Sequence, residues 1–246
     1  MLCKNCGNDL EKNYCSQCRQ KSHVDRINLA FVVSEFSSAI FQLDRGFLYT
    51  VKALSVHPGK SLDEFLNGKR VKYYKPISYV LVLSTFYYLI TIMTHQNTWL
   101  DSGIEGFING ATENDQNVEV PKVFEWFSKN YAYASILLLP VFSLASYISF
   151  YKFGKNYIEH IVINSYISGQ QAILYTLFVI LKYFIEYPVF DTIPILLTIA
   201  YCFWVNWQLF KEGNRVVNIM RSILSYILYL ALGLILLFIS MAKMEI

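Results

Sequence analysis

The stretch PISYVLVLSTFYYLITIMT, residues 76–94, contains no acidic or basic side chain. As a helix it would come close to spanning the hydrocarbon core of a bilayer, which takes roughly 20 mainly apolar residues. Four more stretches have no internal charged residue: residues 131–151, 161–182, 193–210 and 223–242. A soluble protein can bury one such helix, but five joined by short polar loops leave too little polar surface to cover them. The sequence therefore predicts an all-α membrane protein with a five-helix transmembrane bundle over residues 76–246.

Charge is distributed unevenly around these stretches. Residues 1–75 hold twelve Lys or Arg against seven Asp or Glu, whereas residues 95–130 hold six acids and two lysines. Basic loops stay on the cytoplasmic side of a membrane. Residues 3–21 are polar and have no apolar core of the kind that a secretory signal needs. We therefore expect a bacterial cytoplasmic (inner) membrane protein with its N-terminus in the cytoplasm and its C-terminus in the periplasm.

Two CxxC pairs, Cys3-x2-Cys6 and Cys15-x2-Cys18, form the strongest local motif. Each pair can present two thiolates from a tight turn, and together they provide the tetrahedral sulfur shell of a closed, structural zinc site. Iron with the same ligands is an alternative, and disulfides would be expected in an oxidising compartment. The cytoplasmic placement favours zinc. We define residues 1–26 as the cysteine module, a small predicted zinc ribbon whose folding energy comes from the metal.

Residues 27–75 separate the cysteine module from the first span, and we call them the juxtamembrane unit. Their apolar residues recur at helical spacing, which predicts short amphipathic helices that lie along the inner membrane face or pack under the bundle. A small soluble helical subdomain is the alternative. The unit ends in a basic cluster of Lys69, Arg70, Lys72 and Lys75, for which we predict contact with anionic lipid headgroups.

The third stretch begins with YIEHIVINSYISGQQ, in which polar residues recur along one helical face. His160, Asn164, Ser168 and Gln171 are separated by four, four and three residues. Polar side chains in a membrane helix face protein or water rather than lipid. One interpretation places a site at Glu159 and His160, with the other polar residues lining a path beyond it. The other is interhelical hydrogen bonding, worth about 1 kcal/mol per bond.

Three segments together resemble one bacterial family. They are CKNCGNDLEKNYCSQCRQK, LDRGFLYTVKALSVHPGKSLDEFLNGKRVKYYKPISYVLVLS and NYIEHIVINSYISGQQ. In this order they are similar to the domain-of-unknown-function 3667 family, membrane proteins of Bacteroidetes with an N-terminal zinc-ribbon-like motif. The resemblance implies no established activity. The family's second knuckle often runs CxxCGQ, whereas Arg19 stands here where that glycine would be. Its Glu-His pair corresponds to Glu159 and His160.

Three classes of function follow from these features. The first is a non-enzymatic docking or scaffold role, in which the cysteine module and the juxtamembrane unit bind a protein or lipid partner. The second is transport of a small solute or lipid along the polar face of Asn164, Ser168 and Gln171. The third is an intramembrane enzyme that uses Glu159 and His160. No nucleophilic triad or paired intramembrane carboxylates accompany them, and no motif indicates nucleic-acid binding. The sequence therefore favours the docking role.

Overall fold

The computed structural model describes residues 2–10, 13–36, 46–111, 122–185, 187 and 189–242. Apart from two isolated β-bridges near the N-terminus, the regular structure of these residues is helical. The helices are α1 (Leu29–Phe36), α2 (Gly46–Val56), α3 (Pro58–Leu66), α4 (Pro76–Met93), α5 (Trp99–Ala111), α6 (Lys122–Lys129), α7 (Tyr131–Phe150), α8 (Tyr157–Phe184), α9 (Val189–Leu209) and α10 (Arg215–Ala242). The predicted all-helical class is confirmed for the described residues.

Four helical segments among the described residues are long and apolar enough to cross a membrane. They are Pro76–Met93, Tyr131–Phe153, Val189–Leu209 and Arg215–Ile235. These coincide with the first, second, fourth and fifth predicted spans, although the last begins at Arg215 rather than at residue 223. They indicate a membrane-associated protein. The third predicted span lies in α8, which is 28 residues long but is not among the four.

Helix α8 lies inside the bundle and packs against α4, α7 and α9. Gly169 makes the close approach to α4 possible, because a Cβ atom there would lie 2.5 Å from Cδ1 of Tyr79. The Tyr79 hydroxyl donates to Oε1 of Gln170 at 2.6 Å, and the Tyr166 hydroxyl donates to the carbonyl oxygen of Tyr74 at 2.5 Å. These polar side chains face neighbouring helices, which is why α8 is less apolar than the helices around it.

The juxtamembrane unit packs under one end of the bundle. Helix α3 lies against the end of α9, where the Gly59 N–H donates to Oε1 of Gln208 at 3.1 Å. The Tyr201 hydroxyl in α9 donates to the carbonyl oxygen of Leu54 in α2 at 3.1 Å. Asn28 caps α1, and its Oδ1 accepts the N–H of Phe31 at 3.0 Å. Of the two predicted arrangements, these contacts favour packing under the bundle.

The connections of the bundle lie at two opposite ends. The loop between α7 and α8 and the end of α9 meet where Phe150 stacks on Phe210, with ring centroids 4.1 Å apart. This is the end that holds the juxtamembrane unit. At the other end, Gln96 after α4 donates to the carbonyl oxygen of Val179 in α8 at 3.1 Å. Helix α8 therefore reaches both ends, like the four apolar segments.

Candidate functional site

The four predicted metal ligands converge in space. The sulfur atoms of Cys3, Cys6, Cys15 and Cys18 all lie within 4.8 Å of one another, and none of these cysteines forms a disulfide. Sγ of Cys3 is 3.6 Å from that of Cys18, and Sγ of Cys6 is 3.4 Å from that of Cys15. Zinc–sulfur bonds of about 2.3 Å in a tetrahedron separate the sulfurs by about 3.8 Å. The donor set and its spacing therefore fit a four-coordinate metal ion.

The two knuckles of the cysteine module have the same backbone geometry. In the first, the Gly7 N–H donates to the carbonyl oxygen of Cys3 at 2.8 Å; in the second, the Arg19 N–H donates to that of Cys15 at 2.9 Å. Gly7 has a φ of 80° and Arg19 a φ of 60°, so both occupy the left-handed region. Arginine in place of glycine therefore keeps the turn, at a cost of about 1–2 kcal/mol for a residue with a Cβ atom.

Backbone amides in the knuckles favour thiolates. The N–H of Cys18 is the main cause that lowers the pKa of the Cys15 thiol, to about 6. The pKa of Cys3 is lowered in the same way, chiefly by the N–H of Cys6. The pKa of Cys6, in contrast, is raised to about 12: the N–H of Asn8 lowers it, but desolvation and the neighbouring thiols of Cys15, Cys18 and Cys3 raise it overall. The backbone therefore favours the thiolate, which is the form that binds metals, at Cys3 and Cys15.

Gln20 joins the cysteine module to the loop after α3. Its side chain is buried; Nε2 donates to the carbonyl oxygen of Gly68 at 2.9 Å, and Oε1 accepts the N–H of Arg70 at 3.3 Å. The guanidinium of Arg70 donates in turn to the carbonyl oxygen of Asp25 at 2.9 Å. The module is thereby held on the juxtamembrane unit through both side-chain and backbone groups.

Arg26 joins the cysteine module to the start of α8. Its Nε donates to Oε1 of Glu159 at 2.8 Å and its Nη2 to Oε2 at 2.7 Å, a bidentate ion pair. Nη2 also donates to the carbonyl oxygen of Gly154 at 2.5 Å. Burial alone would raise the pKa of Glu159, but the hydrogen bond and charge of Arg26 and the N–H of Asn156 lower it overall. The carboxylate is therefore ionised and has both oxygens engaged.

Glu159 also forms a capping box with Asn156. Its N–H donates to Oδ1 of Asn156 at 2.8 Å, and its Oε2 accepts the N–H of Asn156 at 2.7 Å. The Asn156 side chain reaches the carbonyl oxygen of Ile27 at 3.0 Å. Capping and ion pairing together account for an acidic residue at this position without catalysis.

His160 points away from Glu159, into the contact between α7 and α8. Its Nδ1 lies 2.8 Å from Oγ of Ser146, which also accepts a hydrogen bond from Nδ2 of Asn164 at 2.9 Å. The imidazole is fully buried and stacks on Phe210 at a centroid distance of 6.1 Å. Within the described part of the chain, its Nε2 has no hydrogen-bond partner. His160 and Asn164 therefore take part in interhelical hydrogen bonding.

Ser168 and Gln171, the other two residues of the predicted polar face, lie elsewhere. Both line a cavity of about 410 Å³ between the helices, near α5. Nε2 of Gln171 donates to the carbonyl oxygen of Thr198 in α9 at 3.1 Å. The predicted polar face thus has two environments. One is a packed hydrogen-bond network near the cysteine module, and the other is an open cavity deeper in the bundle.

The predicted headgroup-binding cluster includes internal ion pairs. Oε2 of Glu64 accepts a hydrogen bond from Nζ of Lys72 at 2.6 Å, and Oε1 of Glu64 lies 3.5 Å from Nζ of Lys69. The guanidinium of Arg70 lies 4.8 Å from the ring centroid of Phe31. Lys75 directly precedes α4 and occupies its N-cap position. At least two of the four cations are therefore partly neutralised by a carboxylate of the same unit.

These ion pairs predict a pH-dependent contribution to stability. The hydrogen bond from Lys72 is the main cause that lowers the pKa of Glu64 to about 2, against about 4.3 in an unfolded chain. Glu64 therefore stabilises the fold above about pH 4.3, and this contribution is lost as the pH falls towards 2. We expect Glu64→Gln to lower the free energy of unfolding at pH 7 by about 1–2 kcal/mol, since both lysines are more than a third exposed.

Thermal unfolding of the purified protein at pH 7 and pH 3 measures this contribution. The difference between Glu64→Gln and the unmodified protein should shrink at pH 3. Asp63→Asn is the matched control, because Asp63 is exposed and has no ion pair within the described residues. The assignment is contradicted if Glu64→Gln loses the same stability at pH 7 and pH 3, or if Asp63→Asn loses as much stability as Glu64→Gln.

Several residues of this region were not found by sequence reasoning. Arg26, Gln20 and Gly59 carry the contacts of the cysteine module and the juxtamembrane unit. Gln20 corresponds to the glutamine of the CxxCGQ knuckle, whereas Arg26 and Gly59 belong to no motif. Asn156, three residues before Glu159, was a recognisable signal, since Asn-x-x-Glu before an apolar run is a capping pattern.

Comparison with known proteins finds one family model that is similar to part of the chain. The family model described as "Protein of unknown function (DUF3667)" matches residues 44–88, which include α2, α3, the basic cluster and the first part of α4. The matched segment contains neither the cysteines nor Glu159. No curated protein and no solved structure matches the chain.

Proposed function

Because the match supports membership of the DUF3667 family, whose function is unknown, we propose a role from the structure itself. The cysteine module binds one structural zinc ion and forms, together with the juxtamembrane unit, a cytoplasmic docking platform for a protein or lipid partner. The chain acts as a scaffold rather than as an enzyme.

The attachment of the cysteine module carries this proposal. The Arg26–Glu159 ion pair fixes the module to the bundle, and Gln20 fixes it to the loop at Gly68. A module on a free linker would lose orientational freedom on binding, whereas an attached module presents a preformed surface at lower entropic cost. Exposed apolar side chains, Leu2 and Tyr14 among them, lie on this module.

We place five crossings in the bacterial inner membrane, with α8 as the third. Its 28 residues correspond to about 42 Å of helix, long enough to cross. Lys152, Lys155 and Lys211 lie in the connections at the same end as the cysteine module. The positive-inside rule supports a cytoplasmic position for that end, and therefore a periplasmic C-terminus. A reducing cytoplasm in turn supports zinc over disulfides.

The lipid part of the platform is the basic cluster. Lys69 and Lys72 can reach anionic headgroups only in competition with Glu64, so their contribution is smaller than their number suggests. Arg70 is packed over Phe31 and donates to the backbone of the cysteine module. Protein binding by the module is therefore the main expectation, and headgroup binding is supplementary.

The alternative functions have less support. Transport along the whole polar face is disfavoured, because Asn164 is held by Ser143, Ser146 and the backbone of His160. Catalysis by Glu159 and His160 is disfavoured for two reasons. Within the described residues no hydrogen bond joins the two side chains, and both carboxylate oxygens of Glu159 accept hydrogen bonds from Arg26.

Crosslinking in native membranes followed by pull-down tests the docking role. Three variants are compared with the unmodified chain: deletion of residues 1–26, Arg26→Gln, and Lys21→Gln as a control that removes one exposed positive charge from the same module. We expect the deletion and Arg26→Gln to reduce recovery of crosslinked partners and Lys21→Gln to leave it unchanged. Equal recovery from the deletion variant would overturn the proposal.

A further inference from the structure

A cavity of about 410 Å³ lies between the helices of the bundle, and we call it the central cavity. Helices α4, α7, α8, α9 and α10 all contribute to its wall, and the first residues of α5 close it at the end away from the cysteine module. Small-molecule sites in proteins are typically concave and about 300–1,000 Å³ in volume. The central cavity therefore has the size and position of a ligand site inside the bundle.

The lining of the central cavity is aromatic, aliphatic and hydroxylic. None of the described residues that line it is Asp, Glu, Lys, Arg or His. A charged ligand would lose its hydration there and find no countercharge, which costs several kcal/mol or more. The site therefore selects an uncharged molecule with a large apolar part.

Two hydroxyls of the lining have unused hydrogen-bonding capacity. Ser84 in α4 is only 2 % exposed, and Ser168 lies across the cavity in α8. Neither side chain forms a hydrogen bond within the described part of the chain. Ser84 is buried and Ser168 is half-buried, and a hydroxyl without a partner in apolar surroundings is costly, so oxygen atoms of a ligand would stabilise both. Gln171 adds an amide on the same side as Ser168.

The end of the cavity at α5 is closed by a fixed aromatic residue. The indole of Trp99 stacks on Tyr175 with ring centroids 5.9 Å apart. Its Nε1 donates to the hydroxyl of Tyr131 at 2.5 Å, and its backbone N–H donates to the hydroxyl of Tyr87 at 2.9 Å. Because these contacts hold the closed end to α4, α7 and α8, a ligand would enter through the side of the bundle.

The side wall formed by α10 includes an exposed leucine. Leu230 lines the cavity, and its side chain is 62 % exposed. In a membrane, the molecules that meet such an exposed leucine are lipids, so the nearest source of an uncharged apolar ligand is the bilayer itself.

We propose that the central cavity binds an uncharged single-chain lipid with a hydroxyl- or ester-bearing head, such as a monoacylglycerol. The head oxygens bond to Ser84, Ser168 and Gln171, and the first part of the chain packs against the aromatic and aliphatic wall. The rest of the chain extends past Leu230 into the bilayer, because a long-chain monoacylglycerol is larger than the cavity. This site is separate from the docking platform, and a failure of the platform leaves it unaffected.

Photolabelling tests the proposal directly. The full-length protein in nanodiscs is labelled with a monoacylglycerol that carries a diazirine in its chain. Unlabelled 1-oleoylglycerol and 1-oleoylglycerol 3-phosphate, which differ only by a charged phosphate, are the competitors. We expect saturable labelling of peptides from α7, α8 and α10 that the uncharged competitor suppresses and the phosphate does not. Non-saturable labelling, or equal displacement by both competitors, overturns the proposal.

A pair of variants on α8 tests the position of the site. Ser168→Phe fills the cavity, and we expect it to weaken competable labelling by about tenfold or more. Leu177→Phe enlarges a side chain on the same helix that is 51 % exposed, and it should label like the unmodified protein. Equal labelling of both variants contradicts the assignment. Should Ser168→Phe fail to fold, the two-competitor comparison decides the question with the unmodified chain.

Discussion

Cys15→Ser is expected to unfold the cysteine module and release it from the bundle, while the transmembrane helices stay folded. Structural zinc sites contribute about 10–16 kcal/mol of apparent binding free energy, and a segment as short as residues 1–26 has no core large enough to replace it. Loss of one of four thiolates therefore removes most of the energy that orders the segment. The contacts of Arg26 and Gln20 attach the folded module, but they do not replace the lost metal, because an unfolded segment does not hold Gln20 in place and the Arg26 side chain is 59 % exposed.

Hydrogen exchange measured by mass spectrometry follows this change. Amides of residues 2–26 should exchange rapidly in Cys15→Ser, whereas those of α4 and α7–α10 should keep their protection. Cys202→Ser is the matched control, because Cys202 is buried in α9 and lies outside the sulfur cluster. Protection of the module that survives in Cys15→Ser, with or without a chelator, contradicts a metal-dependent fold.

Gly59→Ala is expected to loosen the juxtamembrane unit from the bundle. A Cβ atom at Gly59 would lie 2.2 Å from Cβ of Gln208, 2.5 Å from its carbonyl carbon and 2.7 Å from the backbone nitrogen of Leu209. Two of these three atoms are backbone, so a side-chain rotation cannot relieve the clash, and α3 must move away from α9. The movement also breaks the hydrogen bond from Gly59 to Gln208. We expect a loss of about 1–3 kcal/mol in the free energy of unfolding.

Urea unfolding in detergent measures the effect of Gly59→Ala. Gly106→Ala in α5 is the control, because an added Cβ atom there meets nothing within 4 Å and should be neutral or slightly stabilising. The same loss in both variants would show that helix propensity, and not the close approach of α3 to α9, governs the response.

The apolar spans could be predicted because composition over a long window determines them. The predicted stretches at residues 76–94, 131–151 and 193–210 correspond closely to helices α4, α7 and α9. The start of α10 was placed too late, because Arg215 and Arg221 interrupt the apolar pattern while the helix continues through them. The interior position of α8 could not be predicted, because it depends on which helices surround its polar face.

The convergence of the four cysteines could be predicted, but the attachment of the cysteine module could not. Cys3, Cys6, Cys15 and Cys18 lie close in sequence, so their spacing alone indicates convergence. Arg26 and Glu159 are 133 positions apart, and nothing in either local sequence indicates the pairing. The same holds for Gly59, whose role depends on the backbone of α9. Long-range contacts of this kind follow from the tertiary arrangement rather than from any periodic pattern.

The metal content of the purified full-length protein tests the central claim most directly. Plasma mass spectrometry should find one zinc ion per chain in the unmodified protein and in Cys202→Ser, and none in Cys15→Ser. Unmodified protein that is free of zinc, with its four N-terminal cysteines joined as disulfides, would contradict a metal-stabilised module on the reducing side of the membrane.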